Sequence, residues 1–181
     1  MENMAMKALL ERRSCRKFKP DAVPDGLLDQ ISAAGLNAAS GRNRQPAIII
    51  QIRNKAIRDT LSKLNADIMG VDSDPFYGAP TVLVVCYDQN EVWHNPFDPT
   101  IDSGEIDASI VADEMVLAAW DEGIASCWVA HFNPKKINSG LKIQEHIRPV
   151  VLIPIGYAED GVEPALRHTE SKDLDEIVHE L

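Results

Sequence analysis

The stretch IDASIVADEMVLAAWDEGIASCW, residues 106–128, decides the fold. Its first part, through Gly123, has no proline and predicts one long helix. Gly123 is the natural stop, because glycine most easily leaves a helix in the left-handed region. Ile110, Val111, Met115, Leu117, Ala118 and Trp120 cover more than one narrow stripe of that helix. One wall cannot bury them all, so the helix is expected to be covered on several sides, in a core or against another subunit. IASCWVAHF (124–132) follows directly and reads as a strand.

Working outward, the pattern alternates. Residues 3–13, with Met4, Ala8 and Leu9, predict a short helix. Pro24 opens a stronger one through LLDQISAAGLNAAS (27–40), with Leu27, Leu28, Ile31, Ala34 and Ala38 near one face. Gly41 and Pro46 bracket a turn. AIIIQI (47–52) and TVLVVCY (81–87) are short apolar runs of the kind that form buried strands. Between them 55–68 reads as helix and PFYGAP (75–80) as a turn. WHNPFDPTIDSG (93–104) is a loop, PKKINSGLKI (134–143) a short helix, and PVVLIPIGYA (149–158) a fourth strand. The tail, 159–181, is polar apart from Leu174, Ile177 and Val178, which could pin it to a neighbouring surface. Strands alternating with helices imply a layered α/β or α+β domain, and periodicity does not choose between them.

Composition sets limits. The 181 residues suffice for one sizeable domain, 1–181. No apolar run is long enough for a transmembrane helix, and the N-terminal residues do not read as a secretion signal. Cys15, Cys86 and Cys127 are odd in number and widely spaced. They predict no disulfide framework, and a cytoplasmic location is expected. The net charge of −10 argues against nucleic acid, which needs broad positive surface.

Against that acidic background RRSCRKF (12–18) gathers Arg12, Arg13, Arg16 and Lys17 around Ser14 and Cys15. Guanidinium forks bind phosphate oxygens in pairs, and a hydroxyl adds a further hydrogen bond. The cluster fits a small phosphate, or a solvated helix end. SGRNRQP (40–46) offers Ser40, Asn43 and Gln45, which could read the edge of a planar heterocycle or simply build a turn. In GIASCWVAHF (123–132) the strand end could offer backbone N–H groups to a ligand, or be plain core. Cys127 lies in an apolar run and reads as packing; Cys15, among cations, is the better thiol candidate. The five histidines show no metal-ligand spacing, so no metal site is expected, and neither GxGxxG nor a P-loop occurs.

Together and in this order, RRSCRKF, SGRNRQP, FYGAP, the 106–128 block and PIGYAE (154–159) resemble the nitroreductase family of FMN-dependent oxidoreductases. The resemblance spans essentially the whole chain. It implies an α+β sandwich, helices around a mostly antiparallel sheet, and an intertwined homodimer with an FMN at each of two interfacial sites. The tail would extend onto the partner. It implies hydride taken from NADH or NADPH and electrons passed to nitroaromatic, quinone or related small-molecule acceptors in ping-pong fashion. The same fold also serves enone reduction, dehalogenation, flavin-consuming chemistry or non-catalytic flavin binding. Carried over residue by residue, Arg12, Ser14 and Arg16 would hold the phosphate, the ribityl chain or the pyrimidine edge; Arg13 shares the motif and either joins them or points outward. Ser40, Gly41, Asn43 and Gln45 of the partner copy would line the flavin. Asn65 would meet the pyrimidine ring. Trp128, Val129 and Ala130 would flank the ring, with a backbone N–H near N5. No side chain is assigned a catalytic proton transfer; Phe76, Tyr77, Trp93 and His131 are candidate pocket walls. Two departures stand out: Ala47 follows Gln45-Pro46 where the family often has tryptophan, and Ser171 occupies a position usually basic, leaving Lys172 as the tail's phosphate ligand, with Arg167 the weaker candidate.

Overall fold

A computed structural model of the chain describes residues 4–180. The expectations for residues 1–3 and 181, and for the side chain of Met4, lie outside the described residues.

The sheet is built around β2 (Thr81–Asp88), where every residue from Thr81 to Tyr87 is buried. Leu83, Val85 and Tyr87 point into one apolar cluster, with residues of α2 (Asp25–Gly35) and α4 (Gly104–Asp121). Val82, Val84 and Cys86 point into the other, with Leu61 of α3 (Lys55–Met69) and Ile137 of α5 (Pro134–Leu141). A strand covered on both faces needs no polar alternation, which is why TVLVVCY is an unbroken apolar run.

β1 (Ala47–Ile52) lies antiparallel on one side of β2, with Ala47 opposite Tyr87 and Ile52 opposite Val82. β4 (Ile147–Gly156) lies antiparallel on the other, with Thr81 opposite Ile155 and Asp88 opposite Ile147. β3 (Ala125–Ser126) pairs with the outer edge of β4, giving the order β1-β2-β4-β3. These ladders are all antiparallel; a parallel bridge from Ser14 to Ser126 extends the β3 edge. The ambiguity between α/β and α+β thus falls to α+β.

Three element boundaries differ from the sequence reading. The strand expected over 124–132 is regular only at Ala125–Ser126, with an isolated bridge at Val129 to Leu152. The cause lies across the ladder. Cys127 donates its N–H to the carbonyl of Pro154, but proline has no N–H to return, so the pair closes on one side only. The helix expected through residue 40 ends at Gly35, because the Asn37 side-chain amide donates to Ala34 and Ala33 carbonyls and finishes the last turn. α1 (Met4–Glu11) stops before the arginines rather than carrying them.

α4 buries Ala108, Val111, Ala112, Met115, Val116 and Ala119 within its own chain, while Ile106 on its outer side is exposed. The chain covers one side of the helix and leaves another open. The tail holds a one-turn helix, α6 (Leu174–Ile177), and exposes Leu166 at 95% and Leu174 at 71%. No described helix is long and apolar enough to cross a membrane, and all three cysteines are free and buried.

A candidate site along the outer edge of the sheet

After α1 the chain runs as a strap along the sheet edge. Arg12 N–H closes on Ala8 carbonyl, then Cys15 N–H donates to Ser126 carbonyl at 2.8 Å. Further on, Phe18 N–H donates to Tyr77 carbonyl, Lys19 N–H to Tyr157 carbonyl, and Glu159 N–H to Lys17 carbonyl. An extended chain sends alternate side chains to opposite sides. Arg12, Ser14 and Arg16 therefore share one side. Both guanidinium groups and the Ser14 hydroxyl interact electrostatically with the Cys127 thiol. Arg13 turns the other way and donates to Val162 carbonyl at 2.5 Å, tethering the start of the tail. Neither Arg12 nor Arg16 has an ion-pair partner among the described residues, whereas Arg53 and Arg58 each bridge two carboxylates. Cys15 is buried and its thiol donates to Lys17 carbonyl at 3.1 Å, so packing replaces the reactive role its charged neighbours suggested. Burial pushes the Cys127 thiol up despite Arg16 and Ser14, which keeps it protonated.

Beside the strap, the segment 125–130 alternates its amides. Cys127 and Val129 N–H groups are taken by Pro154 and Leu152 carbonyls on β4. The N–H groups of Trp128 and Ala130 have no hydrogen-bond partner among the described residues. Val129 is thereby ruled out as an amide donor to a ligand, and the two neighbours remain. Trp128 is 38% exposed and lines an open groove of about 680 Å³ with Glu105, Ile106, Ser109, Ile110 and Asp113 on the outer face of α4.

Asn65 is fully buried on α3. Its Nδ2 approaches Met69 Sδ at 3.6 Å, and its Oδ1 has no partner among the described residues. A buried amide oxygen left unpaired costs about 1–3 kcal/mol, so its retention asks for a donor.

The turn before β2, read from the sequence as punctuation and as the FYGAP motif, is heavily built. Asp74 accepts from Ser62 Oγ at 2.6 Å, Phe76 N–H at 2.9 Å and Gly78 N–H at 2.9 Å, and pairs with Arg58. Arg58 also donates Nε–H to Ala79 carbonyl and lies over the Phe76 ring. Phe76 is thus core, not a pocket wall. Tyr77, between them, is held at φ 57, a backbone region costly for a bulky residue. Burial would raise the Asp74 carboxyl, but Ser62, Phe76, Arg58 and Gly78 outweigh it and hold it below the usual range. A depressed carboxyl stabilises the fold above its unfolded pKa and loses that contribution as pH falls through the folded one. Urea unfolding at stepped pH is expected to show stability falling below about pH 4. Asp74→Asn should flatten that acid limb and cost about 2–3 kcal/mol at neutral pH.

Ser40, Gly41, Asn43 and Gln45 lie elsewhere. Their loop precedes Ala47, opposite Tyr87, whereas Ser126 is level with Ile155 and Thr81. Six residues of strand, roughly 20 Å, separate the two ends of the sheet. The loop is strained and outward-facing: Arg42, Asn43 and Gln45 have φ of 51, 56 and 51, and all are exposed. It is anchored by Ser40 Oγ, which accepts Gln45 N–H, and by Gly41 N–H, which donates to Asp107 Oδ1 at 3.0 Å. A Cβ at Gly41 would lie 2.8 Å from Ser103 Oγ, so only glycine fits there. Asp107 went unnoticed in the sequence. The signal was an acid on the buried stripe of a long apolar helix. Lys172 is exposed on the tail with no ion pair among the described residues.

Comparison with known proteins fits this layout. A sequence model of the nitroreductase family matches residues 9–72 and 65–157. A solved nitroreductase family protein from Clostridium difficile 630 superposes with a TM-score of 0.84 at 32% identity, covering 99% of this chain and 98% of that one. A nitroreductase with bound FMN from Desulfitobacterium hafniense DCB-2 superposes at 0.76 with 25% identity over the whole of both chains. An FMN reductase [NAD(P)H] of Bacillus subtilis is 26% identical over 87% of this chain and 67% of its own length. The chain belongs to the nitroreductase family.

Proposed function

We propose that the chain is an FMN-dependent oxidoreductase that takes hydride from NADH or NADPH and passes electrons to nitroaromatic, quinone or related acceptors in a ping-pong cycle. The observation that carries this reading is that two guanidinium groups with no ion pair, two amides with no hydrogen bond among the described residues, and a hydroxyl share one sheet edge. The FMN in the Desulfitobacterium neighbour supports the choice of cofactor.

The residues fit that group. Arg12 and Arg16 would take the phosphate with the Ser14 hydroxyl. The buried, unpaired Asn65 Oδ1 would accept from an imide-type N–H on the pyrimidine edge. The free amide of Trp128 or Ala130 would donate to the ring. FMN, when bound, supplies the two-electron relay between nicotinamide and acceptor. Arg16 would stabilise negative charge that develops there. No side chain is assigned a proton transfer; water would serve.

We also propose a homodimer. Within one chain the loop 40–45 and the strap sit at opposite ends of the sheet, so both touch one ligand only if two copies contribute. The open face of α4 and the exposed apolar residues of the tail offer the surface that such an interface buries. The strain in loop 40–45 fits a segment shaped for a partner's site.

Purification with excess FMN should yield a yellow protein. Anaerobic addition of NADH or NADPH should bleach it, and a quinone should restore the colour. A protein that stays colourless in excess FMN overturns the reading.

A further inference from the structure

The loop 40–45 holds a shape that its own residues do not favour. Arg42, Asn43 and Gln45 sit at positive φ, a cost that persists only where the surroundings impose it. The loop's internal bonds run from Asn43 N–H to Ser40 carbonyl, Arg44 N–H to Gly41 carbonyl and Gln45 N–H to Ser40 Oγ. They close turns but fix the loop to nothing else. Among the described residues, the hydrogen bond that ties 40–45 to another element is Gly41 N–H to Asp107 Oδ1 at 3.0 Å.

Asp107 is 3% exposed on the first turn of α4 and has no ion-pair partner among the described residues. A buried carboxylate is costly unless donors and dipoles surround it. Here the helix N-terminus and two side donors supply them. Ser103 Oγ donates to Asp107 Oδ2 at 2.7 Å and accepts Trp93 N–H at 3.1 Å, which sets the rotation of the carboxylate. Asp107 N–H closes on Ser103 carbonyl at 2.7 Å. One oxygen is thus held from its own helix start, and the other is left to grip the loop.

Resting on the reading that loop 40–45 lines the partner's flavin site, we propose that Asp107 is a positioning residue that acts in trans. It holds the loop in the strained shape that completes the FMN site of the other chain, and it leaves the site on its own chain's strap untouched. Asp107 itself meets no cofactor, and Ser103 serves it by orienting the carboxylate.

Asp107→Ala should weaken FMN binding about ten- to a hundredfold, the factor expected for one charge-assisted hydrogen bond. Asp107→Asn keeps an acceptor for Gly41 N–H and an amide that can donate to Ser103 Oγ, so it should recover most of that loss. Amide exchange read by mass spectrometry needs no flavin. In Asp107→Ala, peptides over 40–46 should exchange faster, while those over 13–19 stay as protected as in the parent. The action in trans is read from mixed dimers co-expressed under two affinity tags. Asp107→Ala paired with Arg12→Ala should regain about one FMN per pair of chains, because one site takes its arginines from the first copy and its loop from the second. Paired with Asn43→Ala it should regain none, since both loops are then damaged. Rescue by Asn43→Ala and not by Arg12→Ala would put the effect in Asp107's own site and overturn the proposal. Rescue in neither pairing, the mark of a general loss of fold, overturns it as well. Should Asp107→Ala not accumulate as folded protein, Ser103→Ala runs the same exchange and pairing tests near its own dissociation constant, with affinity roughly three- to tenfold weaker, and the same outcomes decide. If Asp107→Ala loosens 40–46 yet binds FMN like the parent, the positioning role fails and the flavin site stands. A parent protein that takes up no FMN sinks both.

Discussion

Arg12→Ala/Arg16→Ala should leave the purification column colourless, with FMN affinity at least about a hundredfold weaker than the parent's. The magnitude follows from two charge-assisted hydrogen bonds to phosphate, each contributing about 1.5–3 kcal/mol. Together that is about 3–6 kcal/mol, or roughly two to four decades in the dissociation constant. Neither arginine is committed to an ion pair among the described residues, so their removal should spare the fold. Circular dichroism and the urea midpoint should move little. Arg13→Ala is the internal control. Its guanidinium is spent on Val162 carbonyl, so FMN affinity should change by less than about threefold while the tail loosens. Fluorescence titration of FMN into each variant checks both. If Arg13→Ala proved as damaging as the double variant, the assignment of alternate side chains along the strap would be wrong.

The fold was legible where burial dictates residue type. TVLVVCY had to be a strand buried in the sheet, and the apolar residues of 106–123 had to form a long helix with more apolar surface than one wall buries. Boundaries were illegible where one residue works against its neighbours. Pro154 silences the ladder opposite Cys127, and the Asn37 amide ends α2 early; both effects depend on what lies opposite, which no local pattern contains. In the site, the arginine cluster was visible from charge alone. Arg13 stayed open between the two sides, because alternation matters only once the strap is known to be extended. Asp107 and Asp74 show the same limit. Each reads as one more acid in an acidic chain, yet Asp107 joins Gly41 to Ser103, and Asp74 gathers Arg58, Ser62, Phe76 and Gly78.

The separation of the two half-sites predicts complementation between defective protomers. In the proposed dimer Arg12→Ala would lack the phosphate grip, and Asn43→Ala the loop contact. Each homodimer should be poor in flavin. Co-expressed with two different affinity tags and purified through both, the mixed dimer carries one site in which both halves are damaged. Its other site draws its arginines from the Asn43→Ala copy and its loop from the Arg12→Ala copy, so both halves are intact. That dimer should bind close to one FMN per pair of chains and recover about half the parent's activity, because intact and broken sites are independent at this distance. The contrast with the two mutant homodimers, near zero against one half, is too large for a partial stability effect to imitate. The same experiment run with Arg12→Ala and Ser14→Ala, which lie on the same half-site, should give no rescue beyond that of Ser14→Ala alone. Rescue only in the first pairing follows directly from the roughly 20 Å that one chain's sheet places between Ser126 and Ala47. Equal flavin content in the mixed dimer and in both mutant homodimers would mean that each chain builds its site alone, and the two-copy arrangement would have to be given up.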